Sequence, residues 1–206
     1  PALVNNLIFV YDHATHLRMW IGGSQFVLGQ LDASFYIFFV YIHPAKIGFI
    51  TRMSSFKIRE IKPEDNEQIA KVVRSVLVEM GVPKVGTAYE DKALDDMYST
   101  YQHPRMNYFV LESEGKIIGG AGIAPLAGLE EKVCELQKMY FLPEARGKGL
   151  GAQMMDTCLK YAGTQAFEKC YIETLPYMEN ARKLYGKSGF RSLDAPMGNT
   201  GNYHST

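Results

Sequence analysis

The feature that most constrains this sequence is a glycine-rich segment that follows an apolar run and opens a helix. The run at 139–142 passes through Pro143 into residues 146–151, which read RGKGLG. Glycines let a backbone approach a ligand closely, and the amides at a helix start attract anions. Arg146 and Lys148 add positive charge. The segment therefore predicts a phosphate cradle built from main-chain amides.

Two better-known phosphate motifs fit this segment less well. Gly147, Gly149 and Ala152 satisfy a dinucleotide-binding fingerprint, and Glu173 lies near the distance expected of its ribose-binding acid. In that motif the first glycine follows the strand almost at once, whereas residues 142–146 intervene here. The Walker pattern fails because a glycine stands where Ser or Thr should follow the lysine. The spacing thus disfavours the dinucleotide motif, and the residue after Lys148 excludes the Walker motif.

The composition indicates one globular domain without a global charge. Of 206 residues, 47% are hydrophobic, and Lys plus Arg equals Asp plus Glu at 22 each. Such a chain has no overall field to recruit nucleic acid or an anionic membrane, so neither is expected as a partner. Cys134, Cys158 and Cys170 are widely spaced, unlike a metal site or a disulfide framework. They favour buried thiols in a cytoplasmic protein, and no metal site is predicted.

Residues 1–52 differ in composition from the rest of the chain. They are rich in aromatic and β-branched residues, carry few charges and contain the apolar run 35–42. That run is much shorter than the roughly 20 residues of a membrane-spanning helix. We predict an N-terminal extension of uncertain structure over 1–52, which adds a strand or hairpin if it folds, and a domain over 53–206.

From residue 56 onward, hydrophobic periodicity and turn signals predict a mixed order of strands and helices. The expected strands are 57–61, 108–112, 116–124, 132–141 and 170–174, and the expected helices are 66–80, 91–101, 150–166 and Glu179–Lys187. A helix that joins two of these strands suits a parallel crossover, and ligands collect beyond the carboxyl ends of such strands. The pattern indicates an α/β (α+β) fold with antiparallel and parallel pairing.

Three segments in a particular order carry a resemblance to a known family. They are the strand 135–141 (ELQKMYF), the loop 146–151 and the segment 181–190 (ARKLYGKSGF). The loop matches the pattern Arg or Gln, two residues, Gly, one residue, Gly or Ala. Over about 56–190 the chain resembles the GNAT superfamily of N-acetyltransferases. The resemblance implies a mixed, mostly antiparallel sheet flanked by helices, with acetyl-CoA bound at a parallel strand–helix–strand unit.

The chain departs from the family pattern at two places. Many members have an Asn at the position of Met178, whereas Asn180 here is offset from it. The family fold also closes with a hairpin whose last strand should follow 202–206. By this comparison we expect the last strand to be missing and the domain over 53–206 to be truncated at its C-terminal end.

The resemblance implies transfer of an acetyl group from acetyl-CoA to a primary amine of a small molecule or protein, by direct attack within a ternary complex. The resemblance leaves open whether the protein forms a homodimer. A non-catalytic acyl-CoA-binding sensor or interaction module is the alternative from another class of function. The family analogy also assigns the acceptor side to the acidic and aromatic segment 86–108. The residues implied to hold acetyl-CoA are Met139, Tyr140, Phe141, Arg146, Gly147, Lys148, Gly149, Leu150, Gly151 and Asn180.

Three residues are candidates for catalysis. An alkyl ammonium with a pKa of about 10.4 must lose a proton before it attacks, so a base is needed. Glu135 and Glu173 are the candidate bases, and Glu173 is favoured because it lies nearer the carboxyl end of its strand. Tyr185 matches the family tyrosine and would donate a hydrogen bond to the leaving thiolate. The alternatives are ion-paired strand carboxylates and a packed core tyrosine.

Overall fold

The computed structural model describes residues 7–12, 56–85, 88–174 and 178–198. The strands are β1 (Leu7–Asp12), β2 (Phe56–Glu60), β3 (Asn107–Ser113), β4 (Lys116–Pro125), β5 (Val133–Phe141), β6 (Lys169–Thr174) and β7 (Arg191–Ser192). The helices are α1 (Asn66–Glu79), α2 (Met97–Thr100), α3 (Leu150–Thr164) and α4 (Glu179–Lys187).

The strands form one mixed sheet in the order β2-β3-β4-β5-β6-β1-β7. Its neighbours pair antiparallel except β5 and β6, which are parallel and joined by α3. Apolar residues of α1, including Ile69 and Val73, pack on one face, and those of α3, including Met154 and Cys158, pack on the other. The predicted mixed fold with a parallel strand–helix–strand unit is confirmed.

A strand from the start of the chain lies inside the sheet. β1 pairs along the whole of β6, from Leu7↔Thr174 to Asp12↔Lys169, and its other edge pairs with β7. The extension over 1–52 therefore contributes a strand, whereas 13–52 and the last eight positions, 199–206, lie outside the described residues. The division at residue 52 and the missing last strand remain predictions.

The prediction of a single helix over 91–101 is wrong. The chain instead forms 3-10 turns at Ala88–Glu90 and Lys92–Leu94, followed by the short helix α2. Two aspartates cause the interruption, because the Asp91 carboxylate accepts a hydrogen bond from the Ala93 amide and Asp96 accepts one from Ser99. Such local bonds offer the backbone an alternative to a continuous helix.

β5 contains a bulge opposite β4. Tyr140 pairs with Gly120 and Gln137 pairs with Gly122, so two residues of β5, Lys138 and Met139, face the single residue between those glycines. Lys138 has a φ of 49°, in the left-handed region. A bulge re-aims the backbone and the side chains that follow it. It therefore sets the direction of the last part of β5.

A buried ion pair fixes the start of α1. Asp65 is 2% exposed, and its carboxylate accepts hydrogen bonds from Arg59 at 2.6 and 2.9 Å and from the Lys62 amide at 2.8 Å. Burial alone would raise the pKa of Asp65, but the hydrogen bonds from Arg59 and Lys62 together lower it. The pair joins β2 to the helix that later borders the site.

Replacing this carboxylate should destabilise the domain. We expect Asp65→Asn to lower the free energy of unfolding by about 3 kcal/mol at pH 7, because it removes the more buried of the two carboxylates, Asp65 and Glu112, that pair with the Arg59 guanidinium. Since the pKa of Asp65 is lowered on folding, the stabilisation is present above its unfolded value and is lost as the pH falls through the folded value. Urea unfolding at pH 7 and pH 3 measures both effects. Glu67→Gln, an exposed change on the same helix, should leave stability unaltered, and equal effects of the two variants would contradict the prediction.

Candidate active site

The site begins where two parallel strands separate. The pairing of β5 with β6 ends at Glu135↔Tyr171, yet β5 continues to Phe141 and β6 to Thr174. Beyond the last pair, the backbones of the two strands no longer satisfy each other. The divergence opens a cleft at the carboxyl ends of both strands, where the sequence places the ligand.

A groove of about 510 Å³ occupies part of this cleft. Its walls come from the end of β5, the glycine loop, the end of α1 and the start of α4. The predicted residues that line it are Met139, Tyr140, Phe141, Arg146, Gly147, Gly151, Asn180 and Tyr185. Lys148, Gly149, Leu150, Glu135 and Glu173 are not among the lining residues.

The sequence did not predict the contribution of α1 to this groove. Val76 and Met80, at the end of that helix, line it. Val76 belongs to the apolar stripe of α1, a pattern that indicates core packing and does not separate core positions from lining positions. Met178 and Leu184 from the α4 side also line the groove. Both are apolar residues, and nothing in the sequence around them marks them as part of a site.

The glycine loop leads directly into the start of α3. Gly147 and Gly149 have φ values of 73° and 75°, and Gly149 is the N-cap of α3. The Gln153 amide donates to the Gly149 carbonyl at 3.2 Å, and the amides before it at the start of α3 are those that a helix leaves without an intrahelical partner. The side chain of Leu150 is buried and anchors the helix start. The loop can therefore offer several donors to an anion.

The two basic side chains of the loop have different environments. Arg146 forms a two-pronged ion pair with Glu79 at the end of α1, at 2.5 and 2.8 Å, and its Nε donates to the Phe141 carbonyl at 2.8 Å. The Lys148 ammonium lies 4.9 Å from the centre of the Phe56 ring. Arg146 thus borders the groove while already paired, and Lys148 is directed toward β2. Glu79 was not singled out by the sequence, which has no motif that marks it.

The end of β5 turns backbone groups toward the cleft. The Leu142 amide donates to Ile118 of β4 at 2.9 Å. Because successive residues of a strand point their backbone groups to opposite sides, those of Phe141 face away from β4, and the Arg146 bond to its carbonyl agrees with this. The Phe141 amide, one of the two predicted donors, therefore faces the side that β6 has vacated. Met139, the other, lies in the bulge, where strand alternation does not set the direction of its amide.

The two predicted carboxylates come together where the strands part. Glu135 is 9% exposed, and its carboxylate accepts a hydrogen bond from Gln137 at 2.7 Å. Burial raises the pKa of Glu135, the bond from Gln137 opposes this, and the neighbouring charge of Glu173 raises it further. Glu173 accepts a hydrogen bond from the Tyr171 hydroxyl at 3.0 Å. Both carboxylates thus lie at the apex of the cleft, where the pairing of β5 with β6 ends.

Tyr185 is both a core residue and a groove residue. Its ring is 4% exposed and packs edge-on against Phe9 of β1, with ring centroids 5.8 Å apart. Burial raises its pKa to about 12, although a hydrogen bond with the Thr174 side chain opposes the shift. The phenol therefore remains protonated at any physiological pH, which suits a hydrogen-bond donor.

Part of the predicted acceptor segment lies near the carboxylates. Asp91 forms an ion pair of 2.9 Å with Lys138 of the β5 bulge, and Tyr89 lies beneath the Arg74 guanidinium. Residues 86–87 and 175–177, which flank the cleft in sequence, lie outside the described residues. The described part of the segment therefore places acidic and aromatic groups beside the end of β5.

Comparison with known proteins identifies the family. The family model described as the acetyltransferase (GNAT) family matches residues 75–190. An uncharacterized N-acetyltransferase of Escherichia coli strain K12, YjgM, is 42% identical over 145 residues, which cover 70% of this chain and 87% of the relative. The chain belongs to the GNAT family. As the sequence predicts, it is an acetyl-CoA-dependent N-acetyltransferase.

Solved structures support the same fold. A GNAT acetyltransferase from Staphylococcus aureus aligns with a TM-score of 0.61 at 18% identity, over 69% of this chain and 90% of that one. An acetyltransferase from Clostridium acetobutylicum, solved with acetyl-CoA, aligns with a TM-score of 0.58 at 19% identity, over 73% of this chain and 100% of that one. Within the described part of this chain, no helix is both long and apolar enough to cross a membrane.

Removing the partner of Arg146 should change coenzyme affinity. We expect Glu79→Gln to tighten binding of CoA about threefold at low salt, because a carboxylate no longer competes with phosphate oxygens for the guanidinium. The gain should shrink as salt screens both charges. Titration calorimetry at two ionic strengths measures it, with Glu67→Gln on the same helix as the matched control. Weaker binding in Glu79→Gln would show that Glu79 orients Arg146 for the ligand.

Proposed function

We propose that this enzyme transfers an acetyl group from acetyl-CoA to a primary amine of a small molecule or protein, by direct attack of the amine in a ternary complex. The observation that carries the proposal is the meeting of a carboxylate pair, Glu135 and Glu173, with the amides of Met139 and Phe141 where β5 and β6 part. A base and carbonyl-polarising donors are the two requirements of acyl transfer to an amine.

The coenzyme requires an anion site and a channel for its pantetheine arm. The amides from Gly147 to Gly151 supply the anion site, and the groove beside them fits the arm. Asn180, at the start of α4, lies on the groove wall and offers an amide group to the arm. When bound, the coenzyme supplies the activated acetyl group. The chain contributes binding, orientation and the positions of donor and base.

The amine must arrive next to a carboxylate. At pH 7, deprotonation of an alkyl ammonium with a pKa of 10.4 costs about 4.6 kcal/mol, so an adjacent base lowers the barrier. Glu173 lies two residues beyond the last strand pair and takes one proton from the ammonium, so that the neutral nitrogen can attack the carbonyl. The second proton leaves the nitrogen as the C–S bond breaks and ends on the released thiol. Glu135 lies deeper, and its negative charge favours a cationic acceptor. Asp91 adds to the acidic character of this side.

The leaving thiolate needs stabilisation. Because the pKa of Tyr185 is about 12, full proton transfer to a thiolate of pKa about 8.5 would be uphill by about 5 kcal/mol. Tyr185 therefore acts by donating a hydrogen bond. We further propose that the enzyme works in the cytoplasm, since Cys134, Cys158 and Cys170 are all free and buried.

An amine panel tests the proposed function. Thiol release from acetyl-CoA is followed with small primary amines and with a lysine-containing peptide, and the acetylated product is verified by mass. We expect Glu173→Gln to lower kcat at least about 100-fold and Glu135→Gln to lower it less, following the usual size of base catalysis. Glu168→Gln, an exposed change near the start of β6, is the matched control. Wild-type rates in both site variants, or coenzyme binding without any acetylated amine, would refute the proposal.

The acid limb of the pH profile carries independent information. Activity should fall as the pH drops and Glu135 takes up a proton, because its negative charge favours the cationic acceptor. Because the pKa of Glu135 is raised by burial and by Glu173, Glu135→Gln should move the acid limb of kcat/KM to lower pH. An unmoved limb in that variant would separate Glu135 from the titrating unit.

Substituting Tyr185 tests the role of its hydroxyl. We expect Tyr185→Phe to lower kcat about 10- to 100-fold, the usual effect of losing a hydrogen bond to a charged group, with no change in the pH profile below pH 10. Steady-state kinetics from pH 6 to 10 measures both. Tyr161→Phe, which removes a partly buried hydrogen bond of another phenol, is the control. A shifted alkaline limb in Tyr185→Phe would instead indicate proton donation.

A further inference from the structure

A buried tyrosine reaches across the sheet to the bulge of β5. Tyr108 of β3 is 0% exposed, and its hydroxyl donates to the main-chain carbonyl of Lys138 at 2.9 Å. β4 lies between these two strands, so the side chain spans a whole strand to make the bond. Burial raises the pKa of Tyr108, so the hydroxyl keeps its proton and stays a donor.

Two glycines of β4 make the crossing possible. A Cβ on Gly120 would lie 2.6 Å from the Cε1 atom of Tyr108 and 2.8 Å from its hydroxyl. A Cβ on Gly122 would lie 2.6 Å from the Cε1 atom of Tyr101, the ring that packs beside Tyr108 at 5.1 Å. Real Cβ contacts are never this short, so only glycine fits at either position. The strand between the tyrosine and the bulge is shaped to let the ring pass.

The hydrogen bond from Tyr108 fixes the orientation of one peptide plane, that between Lys138 and Met139. The carbonyl of Lys138 and the amide of Met139 belong to the same planar trans unit, in which C=O and N–H point in opposite directions. A hydrogen bond that holds this carbonyl toward Tyr108 therefore holds the Met139 amide toward the opposite side. Hydrogen bonding at the carbonyl also polarises the unit and strengthens its N–H as a donor.

The bulge makes this restraint necessary. Lys138 has a φ of 49°, a conformation that side-chain-bearing residues rarely adopt, and Lys138 and Met139 together face the single residue Ala121 of β4. A regular ladder would fix the plane by strand pairing. At a bulge that pairing is locally interrupted, so the plane needs another partner.

We propose that Tyr108 is a positioning residue, whose hydroxyl holds the Lys138–Met139 peptide plane so that the Met139 amide meets the thioester carbonyl of acetyl-CoA. The inference rests on the proposed function and deepens it, because it selects Met139 over Phe141 as the donor whose geometry the fold controls. Tyr108 itself touches no substrate. Its effect passes through one peptide unit.

The test compares affinities for two forms of the coenzyme. The amide-to-carbonyl contact exists with acetyl-CoA and is absent with CoA, so the ratio of the Kd of CoA to that of acetyl-CoA reports on it without any acceptor. We expect Tyr108→Phe to lower this ratio about fivefold, the usual net effect of one hydrogen bond, while the Kd of CoA changes less than twofold. Titration calorimetry on the full chain measures both constants.

Tyr161→Phe is the matched control. Tyr161 is only partly buried, but its phenol likewise donates to a main-chain carbonyl, that of Met106, at 2.8 Å. We expect both variants to lose similar thermal stability, whereas Tyr161→Phe leaves the affinity ratio and kcat unchanged. In Tyr108→Phe, kcat should fall about tenfold with the KM of the amine unaltered, because the weakened donor acts on the developing oxyanion.

The outcomes separate this inference from the proposed function. An affinity ratio within twofold of wild type in Tyr108→Phe, or equal falls in both variants, overturns the positioning role. Should Tyr108→Phe fail to fold, Gly120→Ala, whose methyl group would press on the same ring, must lower the ratio, and an unchanged ratio there also overturns it. Absence of amine acetylation by the wild type refutes the function but leaves the binding ratio as a valid measure of the peptide plane.

Discussion

The separation of β5 from β6 is the constraint on which the rest of the structure depends. Parallel strands satisfy each other's backbone groups only while they run side by side, and these two stop doing so after Glu135 and Tyr171. The groups released by this divergence are then available to a ligand. Donor amides, the carboxylate pair and the groove all follow from that single change in pairing. The bulge at Lys138 determines how the freed part of β5 is oriented.

Much of the fold was predictable because its signals are local. Hydrophobic alternation located most strands to within one or two residues, and the helix Glu179–Lys187 was predicted with the bounds that the structure has. The glycine loop was recognisable because its chemistry resides in the backbone, which glycine spacing reveals. The predicted helix over 91–101 failed because Asp91 and Asp96 bond to nearby amides, a competition that periodicity alone does not detect.

Site residues that depend on tertiary placement were harder to find. Glu79 lies far from Arg146 in the sequence, and neither residue has a pattern that predicts their ion pair. Tyr108 reads as an ordinary strand aromatic, and its reach to Lys138 becomes visible only when Gly120 and Gly122 are seen between them. Such contacts join elements that are far apart in the sequence, at positions that no short motif covers. Sequence reasoning therefore singled out residues that line the cleft more readily than the residues that support them.

The place of β1 has a practical meaning for anyone who shortens or edits this protein. The first strand pairs with the half of β6 that has left β5, including the positions opposite Glu173 and Thr174, and its Phe9 ring abuts Tyr185. A preparation that starts at residue 53 would strip one flank from the wall of the cleft. Loss of turnover in such a preparation would then reflect the missing strand. It would say nothing about the reactivity of the remaining side chains.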